Sequence, residues 1–469
     1  MTQSQQDAAF AALTGQAAQG APGPSAGLQA ARPQLIRTMN EQLLLSQIRQ
    51  LGLCSRADLA RLSGLSKPTV SLALANVERS GLVRTAGQRT GVPGRSAVLY
   101  EISPDAGYVL GLDIGHEYLR GALADLTGEV RAKAEARCPT AGVSKQVSEL
   151  IRLADGICAA AGVDRARVTQ TVLGSPGVYD PKRDAITLTG GLAGWDRPAV
   201  LAGLRRAFGE TLVVENDTDA AALAERDHGH GREFASFAFV SIGSGIGMGL
   251  VLGGQLHRGA HGVAGEIAYL PIAEGPGAAA LAGGPGRGAD EVRRRGTLEA
   301  AGSADAIVRA AREAGLRARS AREVFAAAAG GDERAGAIVA AEARLVAKAI
   351  CSIVTVVDPG LVVLGGGIGQ APGFAAAVAT ELGQIAPVLP DIRVSALGTG
   401  SVVDGCLASG AELAWRRLTA QLAAAQDQPQ AQPDVDGGLG LVGAAFGAGA
   451  LGAGGTGAFG VRGAAGAAK

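Results

Sequence analysis

Aromatic residues are scarce in this sequence: 2 Trp, 5 Tyr and 9 Phe among 469 residues, 3% of the chain. A core with so few rings must be filled by aliphatic and small side chains, and the 72 glycines predict many loops between short elements. Cysteine is thin as well. Cys54, Cys138, Cys158, Cys351 and Cys406 are scattered without a C-x-x-C pair, which excludes a disulfide framework and fits reduced thiols in a cytoplasmic protein. The N-terminus lacks the basic start and apolar block of a secretory signal. Long runs of large apolar residues are missing too; the Gly/Ala-rich stretch from Gly437 to Ala468 comes nearest and makes a poor span, so no membrane partner is expected. Net charge is also missing, since 43 Lys and Arg balance 43 Asp and Glu. That balance is uneven. Between Arg32 and Glu101, ten basic residues stand against four acidic ones, an asymmetry that points to nucleic-acid contact.

Four stretches follow from the patterning. Residues 1–32 are Ala/Gln/Gly/Ser/Pro-rich and read as a disordered arm, and residues 417–469 as a disordered Gly/Ala-rich tail. Residues 33–104 read as helices followed by a hairpin. Residues 105–416 alternate strand-like runs (YVLGLDIG, QTVLGSPG, TLVVEND, FAFVSIGSG, LVVLGGG) with helical ones such as SKQVSELIRLADGICAAAG and AGAIVAAEARLVAKAICSIVTVVD. Gly-rich turns directly after strands make this an α/β region.

Within 33–104, Leu44, Ile48 and Leu51 recur at helical spacing. Ser55 and Asp58 form an S-x-x-D capping pattern, ahead of Leu59, Ala60 and Leu62 as an apolar face. Gly64 breaks this helix. Ser66 can cap the next, Pro68 is tolerated in its first turn, and Val70, Ala73, Leu74 and Val77 form one buried stripe. LVRTAG and AVLYEI are strand-like and joined by the polar loop QRTGVPGRS. Two short helices with a Gly turn and then a hairpin make a winged helix-turn-helix, whose second helix enters the DNA major groove. The expected DNA-binding residues are Ser66, Lys67, Thr69 and Ser71 on that helix, with Arg89 and Arg95 in the wing reaching phosphates or a minor groove.

In the second region GLDIGHEYLRGALADLTGEV, GSPGVYDP, GWDRPAVLAGLRRAF, VVENDTDAAALAE, GSGIGMGLVLGGQLHRGAHGVAGEI and DPGLVVLGGGIG occur in one order. That series resembles the ROK family of repressors and sugar kinases, and SRADLARLSGLSKPTVSLALANVERSGLV ahead of it is similar to the repressor branch. The resemblance implies a two-lobed, actin-like sugar-kinase (ribonuclease H-like) fold. It also implies a sugar site made by Gly174 and Ser175 of the GSPG loop, Asn216, Asp217, Glu266 and Glu299. In a kinase, Asp217 would be the catalytic base accepting the sugar hydroxyl proton. Gly243, Ser244 and Gly245 match the loop whose backbone N–H groups cradle nucleotide phosphates, and Gly365, Gly366 and Gly367 match an adenosine contact.

The departures from the family pattern bear on function. Asp113-Ile114-Gly115-His116-Glu117-Tyr118 stands where kinases carry a first phosphate loop with small residues and a hydroxyl; a carboxylate there repels a triphosphate. The family's structural zinc site needs a His, here Tyr269, and a Cys cluster, while GADEVRRRGTLEA holds no Cys. No metal and no cofactor are therefore expected. The combined expectation is a cytoplasmic, homodimeric or homotetrameric regulator of carbohydrate-related genes, probing double-stranded operator DNA and answering to a sugar or sugar phosphate. It is not expected to be an enzyme; the alternative is an ATP-dependent sugar kinase of hexokinase type with a DNA-binding extension.

Overall fold

The computed structural model describes residues 33–89, 97–188, 194–272, 292 and 294–427 of the chain. Helix α1 (Pro33–Leu51), strand β1 (Cys54–Ser55), helices α2 (Arg56–Ser63) and α3 (Lys67–Arg79), and strands β2 (Val83–Arg89) and β3 (Ala97–Ile102) come first. Ser55 caps α2 through the reciprocal box read from the sequence: its hydroxyl accepts from the Asp58 N–H, and the Asp58 carboxylate accepts from the Ser55 N–H. Gly64 closes α2 in the left-handed conformation. The stripe Val70, Ala73, Leu74 and Val77 is buried, and β1, β3 and β2 form a three-stranded antiparallel sheet. Two apolar expectations fail. Leu51 is 47% exposed and Leu62 46% exposed, because Leu45 fills the core in place of the first and Leu59 alone anchors α2. Residues 90–96 of the expected wing, the arm 1–32 and the tail from 428 lie outside the described residues.

Two sheets of one design follow. The first is built from β4 (Tyr108–Ile114), β5 (Tyr118–Asp125), β6 (Val130–Arg137), β7 (Val168–Ser175) and β10 (Leu212–Asn216) in the order β10-β7-β4-β5-β6. β4, β5 and β6 form an antiparallel meander, and β7 and β10 add in parallel. Helices α4 (Val143–Ala160) and α5 (Pro198–Phe208) cover it, a small hairpin of β8 (Val178–Asp180) and β9 (Ala185–Thr187) flanks it, and α6 (Asp217–His228) leaves β10 for the second lobe. The second sheet repeats the plan with β11 (Phe237–Ile242), β12 (Ile246–Leu252), β13 (Gln255–Leu256), β14 (Leu361–Gly365) and β15 (Asp391–Val394), in the order β13-β12-β11-β14-β15. Helices α7 (Thr297–Gly302), α8 (Ala304–Glu313), α9 (Ala321–Ala329), α10 (Glu333–Val357), α11 (Gly366–Gly369) and α12 (Phe374–Leu382) belong to this lobe. The duplicated sheet order is that of the sugar-kinase-like fold expected from the sequence.

The last helix, α13 (Ser401–Asp427), corrects the boundary expected at 417: the helix continues to Asp427. It returns to the first lobe, where Leu407 packs on Gly111 of β4 and Gly410 on Val109. Val403, Leu407, Ala414, Trp415 and Leu422 join Leu44, Ile48, Val70 and Leu74 in one continuous apolar core. At its edge the Arg49 guanidinium lies 5.3 Å from the Trp415 ring centroid and 3.3 Å from Glu412. Among the described residues no helix is long and apolar enough to cross a membrane.

Candidate functional site

Parallel strands of an open α/β sheet present their loops at the carboxyl ends, where crevices form. In the first sheet the register sets Asp113 of β4 beside Gly174 of β7, and Ser175 beside Asn216 of β10. Four expected or flanking positions thus meet at one edge although they span more than a hundred residues of sequence. Because β10 runs straight into α6, Asn216 becomes the helix cap. Its Oδ1 accepts from the N–H groups of Thr218 (2.9 Å) and Asp219 (3.2 Å), which fixes the side chain and turns its amide nitrogen away from the helix. Asp217 follows, one oxygen held by the Thr218 N–H at 2.7 Å. Ser175 is fully buried, and its hydroxyl accepts from Gly177 N–H.

The second lobe faces this edge with the loop Gly243–Gly245 between β11 and β12. That loop is already engaged. Glu299 Oε2 accepts the Ile246 N–H at 3.0 Å, and Glu299 Oε1 takes Arg295 Nε at 2.7 Å. Arg295 also donates to the Ser244 carbonyl (2.9 Å) and lies 3.4 Å from Asp305. Glu299 comes in close over glycine: a Cβ at Gly245 would stand 2.9 Å from Oε2 and displace the carboxylate. A carboxylate of the chain itself therefore sits on the backbone N–H that directly follows Gly243–Gly245, the stretch that the family resemblance assigns to phosphate.

Charge gathers where these pieces meet. Burial, then the nearby Asp217, pushes the Asp113 carboxyl up to about 7, although Arg120 at 3.6 Å pulls it back. Burial raises Asp217 to about 6, and Glu299 adds to the rise against two backbone hydrogen bonds. Glu266, half-buried, is raised to about 7 by burial, Asp217 and Glu299. Asp219 is raised to about 8 by burial and by Glu215, which itself is held by Arg258; Asp219 Oδ1 has no hydrogen-bond partner. Partial burial of the ring and then the Arg295 charge hold the His116 imidazole below its usual value. Like charges this close share protons rather than ionise independently. Such a set suits a polar ligand rich in hydroxyl donors.

Of the residues expected to hold a sugar, Gly174, Ser175, Asn216, Asp217, Glu266 and Glu299 converge, with Glu299 bound to the glycine loop. Asp113, Asp219 and Arg295 join them and were not named as ligand contacts in the sequence reading. Asp219 was legible as the second aspartate of ENDTD; Arg295 had no signal beyond its place in RRR. Gly365 ends β14, paired with Ser241 of β11, and Gly366 follows it with φ +75° against the Ile242 carbonyl. Tyr269, at the expected histidine position of a zinc site, is 39% exposed and donates its hydroxyl to the Arg294 carbonyl.

In the N-terminal unit the expected DNA contacts separate. Ser66 caps α3, its Oγ accepting from the Thr69 N–H at 3.3 Å and lying 2.8 Å from the Thr69 hydroxyl, so both hydroxyls are engaged in the cap. Lys67 is exposed and Ser71 half-buried. Arg89 ends β2 and is tied to Asp58 at 3.4 Å. Arg95 lies outside the described residues.

A ROK family model matches residues 109–413. The xylose repressor of Bacillus subtilis is 26% identical over 241 residues, 50% of this chain and 61% of that protein. The chain spans about 60% of the length of the curated repressors it matches. Among solved structures, a ROK hexokinase from Thermus thermophilus is 31% identical, with TM-score 0.54 over 66% of this chain and 99% of that one. A ROK family transcriptional regulator, described as a homologue of the E. coli MLC protein, superposes with TM-score 0.63 at 23% identity over 83% of this chain and 98% of that one. With the duplicated sheets, the strand-end site and a family match over most of the described chain, this protein belongs to the ROK family.

Proposed function

We propose that the chain is a DNA-binding transcriptional regulator, a repressor of carbohydrate-related genes, controlled by a sugar or sugar phosphate held between its lobes. Helices α2 and α3 with the β2–β3 hairpin act as a winged helix-turn-helix that binds double-stranded operator DNA as a homodimer or homotetramer, matching operator dyad symmetry. The observation that carries this reading is the shared core. A basic three-helix unit is packed through α13 onto the lobe that presents Gly174 and Asp217, so a ligand that changes the lobe also meets the helices that would hold DNA. The likeness to a ROK transcriptional regulator extends over 83% of the chain, more than the family match alone occupies, and supports the same reading. Asn216, Asp217 and Glu266 are the ligand-contacting groups; no metal or cofactor enters.

A gel shift on duplex from upstream of its own gene, with sugars and sugar phosphates added singly, tests the proposal. Specific retardation relieved by one compound is the expected result; no retardation at low salt overturns it.

One observation favours a second reading, an ATP-dependent sugar kinase: Asp217 keeps the place of a catalytic base. Against it stand the carboxylates of Glu299 on the Ile246 N–H and of Glu117 at the first loop, which repel a triphosphate, and the bulk of His116 where kinases carry a small residue. Hexose-dependent ATP consumption abolished in Asp217→Asn would reverse the ranking.

A further inference from the structure

The stripe that anchors α3 also dictates its opposite face. With Val70, Ala73, Leu74 and Val77 buried, a 100° step per residue turns Pro68, Leu72 and Arg79 outward, and Leu72 is 55% exposed. The hydroxyls of Ser66 and Thr69 bond each other within the helix cap, which holds one of the two O–H donors and fixes both side chains close to the backbone. Beside this face runs α1. Asn76 donates to Glu41 at 2.7 Å, while Thr69, Leu72 and Ala73 share a small cavity, about 120 Å³, with Ile36, Arg37 and Asn40. Residues rising along α3 thus meet residues rising along α1, so the two helices advance in the same general sense and Arg37, in the first turns of α1, lies beside the first turns of α3. Arg37 is exposed there.

Resting on the DNA-binding reading above, we propose that the duplex-facing surface is centred on Pro68 and Leu72 rather than on the capping hydroxyls, and that α1 supplies Arg37 as a contact to a backbone phosphate flanking it. A recognition helix docks by its N-terminal turns, and a neighbour advancing in the same general sense brings its own first turns toward the same duplex. The occupant is nucleic acid by charge: ten basic residues against four acidic between Arg32 and Glu101. Leu72 is the apolar group placed to meet a thymine methyl, and Arg37 carries no sequence information.

The test uses the full chain and duplexes of specific and scrambled sequence across a salt series. Arg37→Ala is expected to weaken both duplexes by roughly tenfold for each protomer on the duplex near 0.1 M salt, and to lower the log–log salt slope by about 0.9 per protomer, about 1.8 for a bound dimer. Arg37→Lys should keep the slope. Leu72→Ala should lower the preference for specific over scrambled duplex and leave the slope unchanged. Because both side chains are exposed, circular dichroism and the thermal midpoint should match wild type. An Arg37→Ala protein with wild-type affinity and slope overturns the proposal while leaving DNA binding itself intact. A Leu72→Ala protein that changes oligomeric state by light scattering, with unchanged DNA preference, overturns it in favour of a contact between copies. A wild-type chain that retards no duplex removes the reading beneath it.

Discussion

Replacing Glu342 with Met should make the protein more stable, and increasingly so as pH rises. Glu342 lies on α10, 4% exposed, and its Oε1 has no hydrogen-bond partner. Its surroundings are apolar: a Cβ on Gly302 would stand 3.0 Å from Oε1 and 2.7 Å from a Leu345 methyl, with Ile246 close by. Burial alone drives its carboxyl well above the ordinary range of 4.5. A buried polar group without a partner costs about 1–3 kcal/mol, and an apolar side chain of similar volume removes that cost. The sign of the pH effect follows from linkage. A carboxyl raised on folding contributes its stability below the unfolded value and loses it as pH rises toward the folded value, by at most about 1.4 kcal/mol per pH unit. Urea denaturation of wild type, Glu342→Met and Glu342→Gln at pH 5 and pH 8 measures this. The Met variant should gain about 1–3 kcal/mol at pH 5 and more at pH 8, by up to about 1.4 kcal/mol per pH unit, with the Gln variant flat in pH but still short of a partner. A Met variant that is weaker at pH 8, or a gap equal at both pH values, would refute the reasoning.

Three further outcomes are expected. Arg49→Ala removes an ion pair that is largely exposed, worth about 0–1 kcal/mol, so the fold should stand and calorimetric sugar affinity should not change. The same variant should show a smaller ligand effect on DNA retention in a gel shift, and an unchanged ligand effect would separate α1 from the lobe's response. Gly405→Val drives a side chain into the Ala220 carbonyl at the contact between α13 and α6; the overpacking should cost about 1–3 kcal/mol, seen as a lower urea midpoint. Sugar affinity should rise from pH 5 to pH 8, because Asp217 and Glu266, raised to about 6 and about 7, accept hydroxyl hydrogens better once ionised. Asp217→Asn should weaken binding and flatten that profile, and a wild-type profile level over the range would exclude these carboxylates as acceptors.

Legibility in the sequence follows the range of the interaction involved. Local signals were read well. The Ser55/Asp58 box, the Ser66 cap and the α3 stripe rest on contacts within four residues, and the strands of both lobes appeared as short apolar runs between glycines. Failures came where tertiary packing selects among equivalent side chains. Leu51 and Leu62 sit at helical spacing, yet neither finds a neighbouring element to cover it. β15, with Asp391 and Arg393 alternating along an edge strand, carries no apolar run to betray it. The site shows the same division. Its motif residues were legible one by one, whereas the pairing of Asp113 with Asp217 depends on the parallel register of β4, β7 and β10. The engagement of the glycine loop by Glu299 depends on a contact across 53 residues, between Ile246 and Glu299.

α13 was the least legible element, and its chemistry explains both the omission and its importance. A helix covered on several sides shows no clean apolar stripe, and the close contacts of this one are made by small residues. Gly405 lies on the Ala220 carbonyl of α6, Gly410 lies against Val109, and Val402 fills the space above Gly174. These contacts leave no slack, because a close-packed interior transmits displacement rather than absorbing it. Along α13, about 20 Å of helix separates Val402, packed over Gly174 of the GSPG loop, from Trp415 at the Arg49 contact on α1. A ligand that draws Gly174 and Asp217 toward the second lobe must therefore move α13 or break its packing. Moving it carries Glu412 and Trp415 against α1, the helix that lies beside α3. On the proposed function, ligand binding and DNA binding would then read one structural coordinate, and any coupling between them would be bounded by what the exposed Arg49 contact and the shared apolar core can bear.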